Sequence, residues 1–135
     1  MTYMLDTNIC IYAIKEQPRE VICRLLAEDA SEICISSLTF AELMHGVWKS
    51  AKIDQNRAAL TLFLSAIRIM DFDARAAEEY GKIRADLEKR GTPIGPLDTL
   101  IAAHAKSLGL ILVTNNEREF RRVDGLCIEN WALPE

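Results

Sequence analysis

The 135-residue sequence has no apolar run approaching the ~18 residues of a membrane span. Its apolar opening is broken by Asp6 and Asn8, with Lys15 after that stretch rather than before it, so neither an anchor nor a secretory leader is expected. It has no CxxC pair. Cys10, Cys23, Cys34 and Cys127 stand singly, mostly among apolar neighbours, as small hydrophobes in a reducing cytoplasm do. There are only 2 histidines, His45 and His104, far apart and without a cysteine pair nearby, which argues against structural zinc and leaves oxygen as the donor for any metal. Positive charge is also short: 16 basic against 20 acidic residues give a net charge of −4, the wrong sign for holding nucleic acid by bulk electrostatics. Repeats, low-complexity tracts and linkers are missing. With 50% hydrophobic and 27% charged residues, residues 1–135 read as one soluble domain, long enough to bury about two-thirds of its unfolded surface.

What is present is an alternation of short apolar segments with amphipathic ones. Thr2 to Leu5 reads as a strand running into Asp6, followed by a helix from Thr7 to Lys15 and another opened by Pro18. Glu32 to Ser36 alternates and is β-branched, a strand, and leads to a helix from Thr39 to about Lys49 striped by Phe40, Leu43, Met44, Val47 and Trp48. Asp54 is the expected N-cap of a helix with the broad apolar face Ala58, Ala59, Leu62, Phe63, Ala66 and Ile67. Ile69 to Phe72 reads as a strand, and Asp73 caps a helix that stops at Gly91. Gly95-Pro96 opens a helix ending near Gly109, and strands follow at Leu110 to Val113 and Leu126 to Glu129. This order predicts an α/β sandwich on a mainly parallel sheet.

In open α/β sheets ligands bind outside the carboxyl ends of the strands, where the chain order reverses. Asp6 ends the first strand, Glu42 follows the Cys34 strand, Asp98 lies in the first turn after Gly95-Pro96, and Thr114-Asn115-Asn116 ends the Leu110 strand. Gathered in one cleft, such acids raise one another's pKa and supply the oxygen donors that a hard divalent cation takes. Each also has an ordinary reading. Asp6 is a good N-cap, Thr39 to Glu42 fits a capping box, and Glu42 points away from the apolar stripe. Asp98 suits a helix dipole, Asn116 a turn and Glu119 the surface. His104 falls on the apolar face of its helix and reads as a packed core histidine, whereas His45 is on the polar side.

The segments Met4-Leu5-Asp6-Thr7-Asn8, Ser36 to Leu43, Gly91 to Asp98 and Val113-Thr114-Asn115-Asn116 with Glu119-Phe120 together resemble PIN-domain ribonucleases. The resemblance is closest to the VapC toxins of bacterial type II toxin–antitoxin modules and runs the length of the chain. It implies a three-layer α/β/α sandwich with a mainly parallel, twisted sheet. It implies that Asp6, Glu42 and Asp98 form the acidic core of a Mg²⁺ or Mn²⁺ site, with Asp6 and Asp98 as ligands and Thr7, Asn8 and Thr114 as supports. Many members carry an aspartate where Asn116 stands; an amide brings no charge, leaving Glu119 as the remaining acid. The implied activity is hydrolysis of structured RNA, with tRNA and the anticodon loop of initiator tRNA as the expected target. Water attack would leave 5′-phosphate and 3′-hydroxyl ends, and translation would be inhibited until an antitoxin neutralises the toxin.

Without Asp6, Glu42, Asp98 and Glu119 the remaining formal charge is zero, and Arg84, Arg118, Arg121 and Arg122 are the expected phosphate contacts. A phosphatase with Asp6 as nucleophile would need a second Asp where Asn8 stands. A PIN fold that binds RNA or a partner without catalysis is the other alternative. The apolar face Ala58 to Ile67, with Leu60 and Leu64 beside it, predicts a homodimer. The resemblance further implies a VapB-type antitoxin whose tail sets an arginine near the acids, and contact with operator DNA only through that antitoxin.

Overall fold

The computed structural model describes residues 1–133. These form five strands and seven α-helices: β1 Tyr3–Leu5, α1 Thr7–Lys15, α2 Arg19–Ala27, β2 Ile33–Ser36, α3 Ser37–Trp48, α4 Ile53–Leu64, β3 Arg68–Met70, α5 Ala74–Lys89, α6 Pro96–Ser107, β4 Ile111–Val113, α7 Glu117–Phe120 and β5 Ile128–Glu129. The sheet order is β3-β2-β1-β4-β5 and every pairing is parallel. Because successive strand residues face opposite ways, the sheet feeds two cores. Met4, Cys34 and Leu112 join Ile83, Leu87, Ile101 and Phe120 on one side. Leu5, Ile35 and Val113 join Ile9, Val21, Leu43, Val47 and Leu60 on the other. Helices thus cover both faces, the expected three layers, and the site-bearing strands are buried apolar runs that leave only their ends polar.

Several boundaries differ from the sequence reading, each for a local reason. Helix α3 starts two residues earlier than expected because Ser36 caps it, its hydroxyl accepting from Leu38 N–H at 3.1 Å. Thr39 is then a buried residue of the first turn and the Thr39–Glu42 capping box does not form. Helix α4 begins at Ile53 with Lys52 at the cap position, so Asp54 sits within the first turn, where the helix dipole suits it. Strand β3 ends at Met70 rather than Phe72, whose N–H is taken by the Ser37 hydroxyl at 3.1 Å. The broad apolar face around α4 divides: Leu60 is buried, Phe63, Leu64 and Ile67 pack on the core, and Leu62 stays 76% exposed with Ala58, Ala59 and Ala66. Among the described residues no helix is long and apolar enough to cross a membrane.

Candidate active site

Strand order reverses between β1 and β4, because the chain leaves β1 towards β2 on one side and returns to β4 on the other. Ligands of open α/β sheets are expected at such a switch point, and the residues that follow Leu5 and Val113 there are Asp6 and Thr114. The backbone closes this corner: Asp6 N–H donates to the Val113 carbonyl at 3.0 Å. Asp6 also caps α1, one carboxylate oxygen accepting from Ile9 N–H at 3.0 Å, and is hydrogen-bonded by Thr114. Its two sequence readings, cap and cleft acid, are both true of one side chain.

Burial pushes the Asp6 carboxyl up to about 6; the bonds from Thr114 and Ile9 pull it down and the Glu42 charge pushes it up further. Glu42 comes from the second turn of α3 and accepts a hydrogen bond from the Thr7 hydroxyl at the start of α1. Asp98, in the first turn of α6 after Gly95-Pro96, is also raised to about 6. Burial is the first cause, followed by its hydrogen bond with Glu119 and the charges of Glu119, Asp6 and Glu42. Asn116 joins the last pair, its amide NH₂ donating to Glu119 at 3.0 Å and approaching Asp98 at 3.4 Å. The Asn116 backbone N–H in turn donates to the Thr114 hydroxyl at 2.9 Å. A continuous polar path therefore joins Asp6, Thr114, Asn116, Asp98 and Glu119, with Glu42 and Thr7 on its far side.

Four separate segments thus place Asp6, Glu42, Asp98, and Asn116 with Glu119 together. Of the proposed supports, Thr7 and Thr114 bond directly to acids, whereas Asn8 is exposed. The arginines divide as well. Arg122 donates to the Pro93 carbonyl at 2.9 Å, Arg121 pairs with Glu117 at 3.0 Å, and Arg84 bonds the Tyr80 hydroxyl at 3.0 Å. Arg118 is exposed and has no ion pair or hydrogen bond among the described residues. A rim beside Asn116 has no signal in local pattern: Asn130 donates 3.1 Å bonds to Asn115 and to Glu117, and Asn115 approaches the Tyr12 hydroxyl at 3.3 Å. His104 is a buried core histidine and His45 is exposed.

Chemically, the cluster is four carboxylates and an amide, all oxygen donors of the kind that Mg²⁺ and Mn²⁺ prefer. Among the described residues no three His, Cys, Asp or Glu side chains already stand as a tight metal cage. Two carboxyls held near 6 by burial and like charge gain most from a cation, so the donor set fits one chemically.

The PIN domain family model matches residues 3–126. A tRNA(fMet)-specific endonuclease VapC from Shigella flexneri is 48% identical over 98% of this chain and 99% of its own. Ribonuclease VapC2 from Haemophilus influenzae is 49% identical with the same coverage. Among solved structures, VapBC2 from Rickettsia felis, bound to a DNA fragment from its promoter, superposes with a TM-score of 0.90 at 47% identity, covering 97% of this chain and 99% of that one. On sequence and fold, the chain belongs to the PIN domain family and, within it, to the VapC ribonucleases.

Proposed function

We propose that this protein is the toxin of a VapBC-type module, a Mg²⁺-dependent endoribonuclease that cuts structured RNA in the cytoplasm, with the anticodon loop of initiator tRNA as its target. The observation that carries the reading is the cluster at the β1/β4 switch point, where two carboxyls sit near 6 with two more acids beside them. The names of relatives from Shigella flexneri and Salmonella typhimurium, tRNA(fMet)-specific endonucleases, support the substrate.

Asp6 and Asp98 are the residues that would hold the ion, with Asn116 and Glu119 beside Asp98. Bound there, Mg²⁺ supplies charge neutralisation for the phosphodiester and acidifies water. Glu42 is the group free to orient a water in line with the scissile bond and take its proton, because Thr7 fixes one carboxylate oxygen and leaves the other available. Thr114 keeps Asp6 turned into the crevice. Attack by external water breaks the P–O3′ bond and leaves 5′-phosphate and 3′-hydroxyl ends. Arg118 is the best placed phosphate contact, being exposed one residue before Glu119. The decisive experiment incubates purified protein with tRNA, with and without Mg²⁺, and maps the ends. Cleavage that persists in chelator, or 2′,3′-cyclic phosphate ends, would refute this chemistry.

The antitoxin reading also has a place in the fold. A groove of about 290 Å³ is lined by Ile11, Ile14, Leu43, Val47 and Leu60, and Glu42 belongs to the same lining. An apolar segment laid there ends beside carboxylates, where an arginine fork is the complementary group. Expression of the chain alone should arrest growth, and co-expression of the adjacent small reading frame should relieve it. Operator DNA would then be reached through that partner. For self-association, the exposed Leu62 with Ala58, Ala59 and Ala66 is the face available to a second copy. Leu62→Asp should turn a sedimenting dimer into a monomer; a wild type that is monomeric at micromolar concentration would discard the dimer.

A further inference from the structure

Between the two helices that carry Glu42 and Asp98 lies a buried polar contact that the proposed chemistry does not use. His104, 1% exposed on α6, meets Ser36, 0% exposed at the end of β2, with Nδ1 and Oγ 2.8 Å apart. Ser36 Oγ is also the N-cap acceptor for Leu38 N–H, and with the ring proton on Nε2 its hydroxyl donates to His104 Nδ1. Burial, the largest influence on the His104 pKa, lowers it, against the raising effects of the Asp73 charge, a hydrogen bond to the Asp71 backbone and the Asp71 charge. Phe72 closes the other side, edge-on with ring centroids 5.4 Å apart. The imidazole is thereby held in orientation by groups from both sides of the seam.

We propose that His104 is a positioning residue: through Ser36 it locks helix α3, which bears Glu42, against helix α6, which bears Asp98, and so sets the spacing of the two carboxylates. Ser36 is the residue from which α3 starts, and Asp98 is in the first turn of the helix that His104 belongs to. Each helix is stiff over the two turns concerned, so a fixed contact at the seam is a fixed offset at the acids. A purely apolar contact would hold the helices together but not in one register, because hydrophobic packing is non-directional whereas a charge-neutral hydrogen bond with one donor and one acceptor is not. Burying two polar groups costs desolvation unless they find each other, which ties their pairing to a single arrangement.

The inference rests on the metal-nuclease reading, and its test is built to separate the two. Mn²⁺ binding is measured by loss of the free-ion paramagnetic resonance signal, beside kcat and KM on tRNA, for wild type, His104→Leu, His104→Asn, Ser36→Ala and the Ser36→Ala/His104→Leu pair. His104→Leu should weaken Mn²⁺ binding and lower kcat by about 10-fold or more with KM unchanged, the scale seen when a support of a metal ligand is lost. His104→Asn, whose side-chain oxygen can replace Nδ1 as acceptor, should recover most of both. In the Ser36→Ala background His104→Leu should add little, since the two act through one bond. Wild-type Mn²⁺ affinity and kcat in folded His104→Leu overturn the proposal, as do additive effects in the pair. If His104→Leu fails to fold, an Asn variant that folds with its Mn²⁺ affinity still lost overturns it too. A wild type that takes up no Mn²⁺ overturns the metal reading first and this inference with it.

Discussion

Asp6 and Asp98 reach the same pKa of about 6 by different routes. Asp6 is 7% exposed and surrounded by donors: Ile9 N–H and Thr114 both partly offset its burial. Asp98 is less buried and surrounded by acids, with Glu119 hydrogen-bonded to it and one Asn116 amide close by at 3.4 Å. The first half of the site is a preformed platform anchored in backbone. The second half, built from the start of α6 and the one-turn helix α7, is a set of like charges that gains cohesion from a cation. Rigid geometry and electrostatic demand are thus assigned to opposite walls of one crevice.

The largest expected effect comes from neutralising either wall. Asp6→Asn and Asp98→Asn should each lower tRNA cleavage by about 10³-fold or more, the scale of losing a principal electrostatic stabiliser. In metal-free protein both should hold or raise the melting temperature, since each removes a charge the fold strains to keep. Full activity in Asp98→Asn would dissolve the comparison.

The second test concerns pH. Both carboxyls have a folded pKa near 6 against an ordinary 3.8, so between those values the folded chain holds protons that the unfolded chain has released. Their contribution to stability is therefore fullest below pH 4 and is lost as pH rises through about 6. For the nearly buried Asp6 the loss is on the order of 3 kcal/mol. His104, held below its usual value by burial, acts in the opposite sense, so the difference between wild type and Asp6→Asn isolates the carboxyl. Metal-free denaturation at pH 5 and pH 8 should show the gap shrinking in Asp6→Asn, and Mg²⁺ should restore the wild type at pH 8.

Smaller effects distinguish the supports. Thr7→Val frees Glu42 and Thr114→Val unpins Asp6; each should cost about 10- to 100-fold in kcat or metal affinity. The Thr114 change should be the more damaging to metal binding, because it acts on a ligand. Smallest of all, Arg118→Ala should reduce the salt dependence of RNA binding by about one unit of slope. Arg122→Ala should leave that slope unchanged and act instead through the Pro93 loop it holds. Equal slopes for the two variants would mean that Arg118 is no phosphate contact.

The acids at strand ends were legible in the sequence because a polar residue directly after a buried strand has few other places to go. Asp6 followed from that rule, whereas Asp98 was marked by its place at a helix start. Glu42 was harder: its apparent capping box depended on a helix starting at Thr39, and the earlier start at Ser37 puts it in the second turn, beyond the cap. The α4 cap was misplaced because Asp54 favours any of the first-turn positions, not one of them. The partition of the α4 face could not be read from periodicity, which marks an apolar arc without saying what covers it. Pairings across many residues, such as Asn116 with Asp98 and His104 with Ser36, depend on how two helices land on the sheet. For those, local pattern carries no signal.

The all-parallel sheet has a consequence for how the protein comes into being. Strand β1 lies at its centre, between β2 and β4, and β4 begins only at Ile111. The Asp6 N–H cannot find the Val113 carbonyl until Val113 has left the ribosome, nor Asp98 meet Asn116 and Glu119 until Glu119 has. A nascent chain therefore carries its first acid through most of synthesis without a site to put it in, and the crevice is completed by the last strands to arrive.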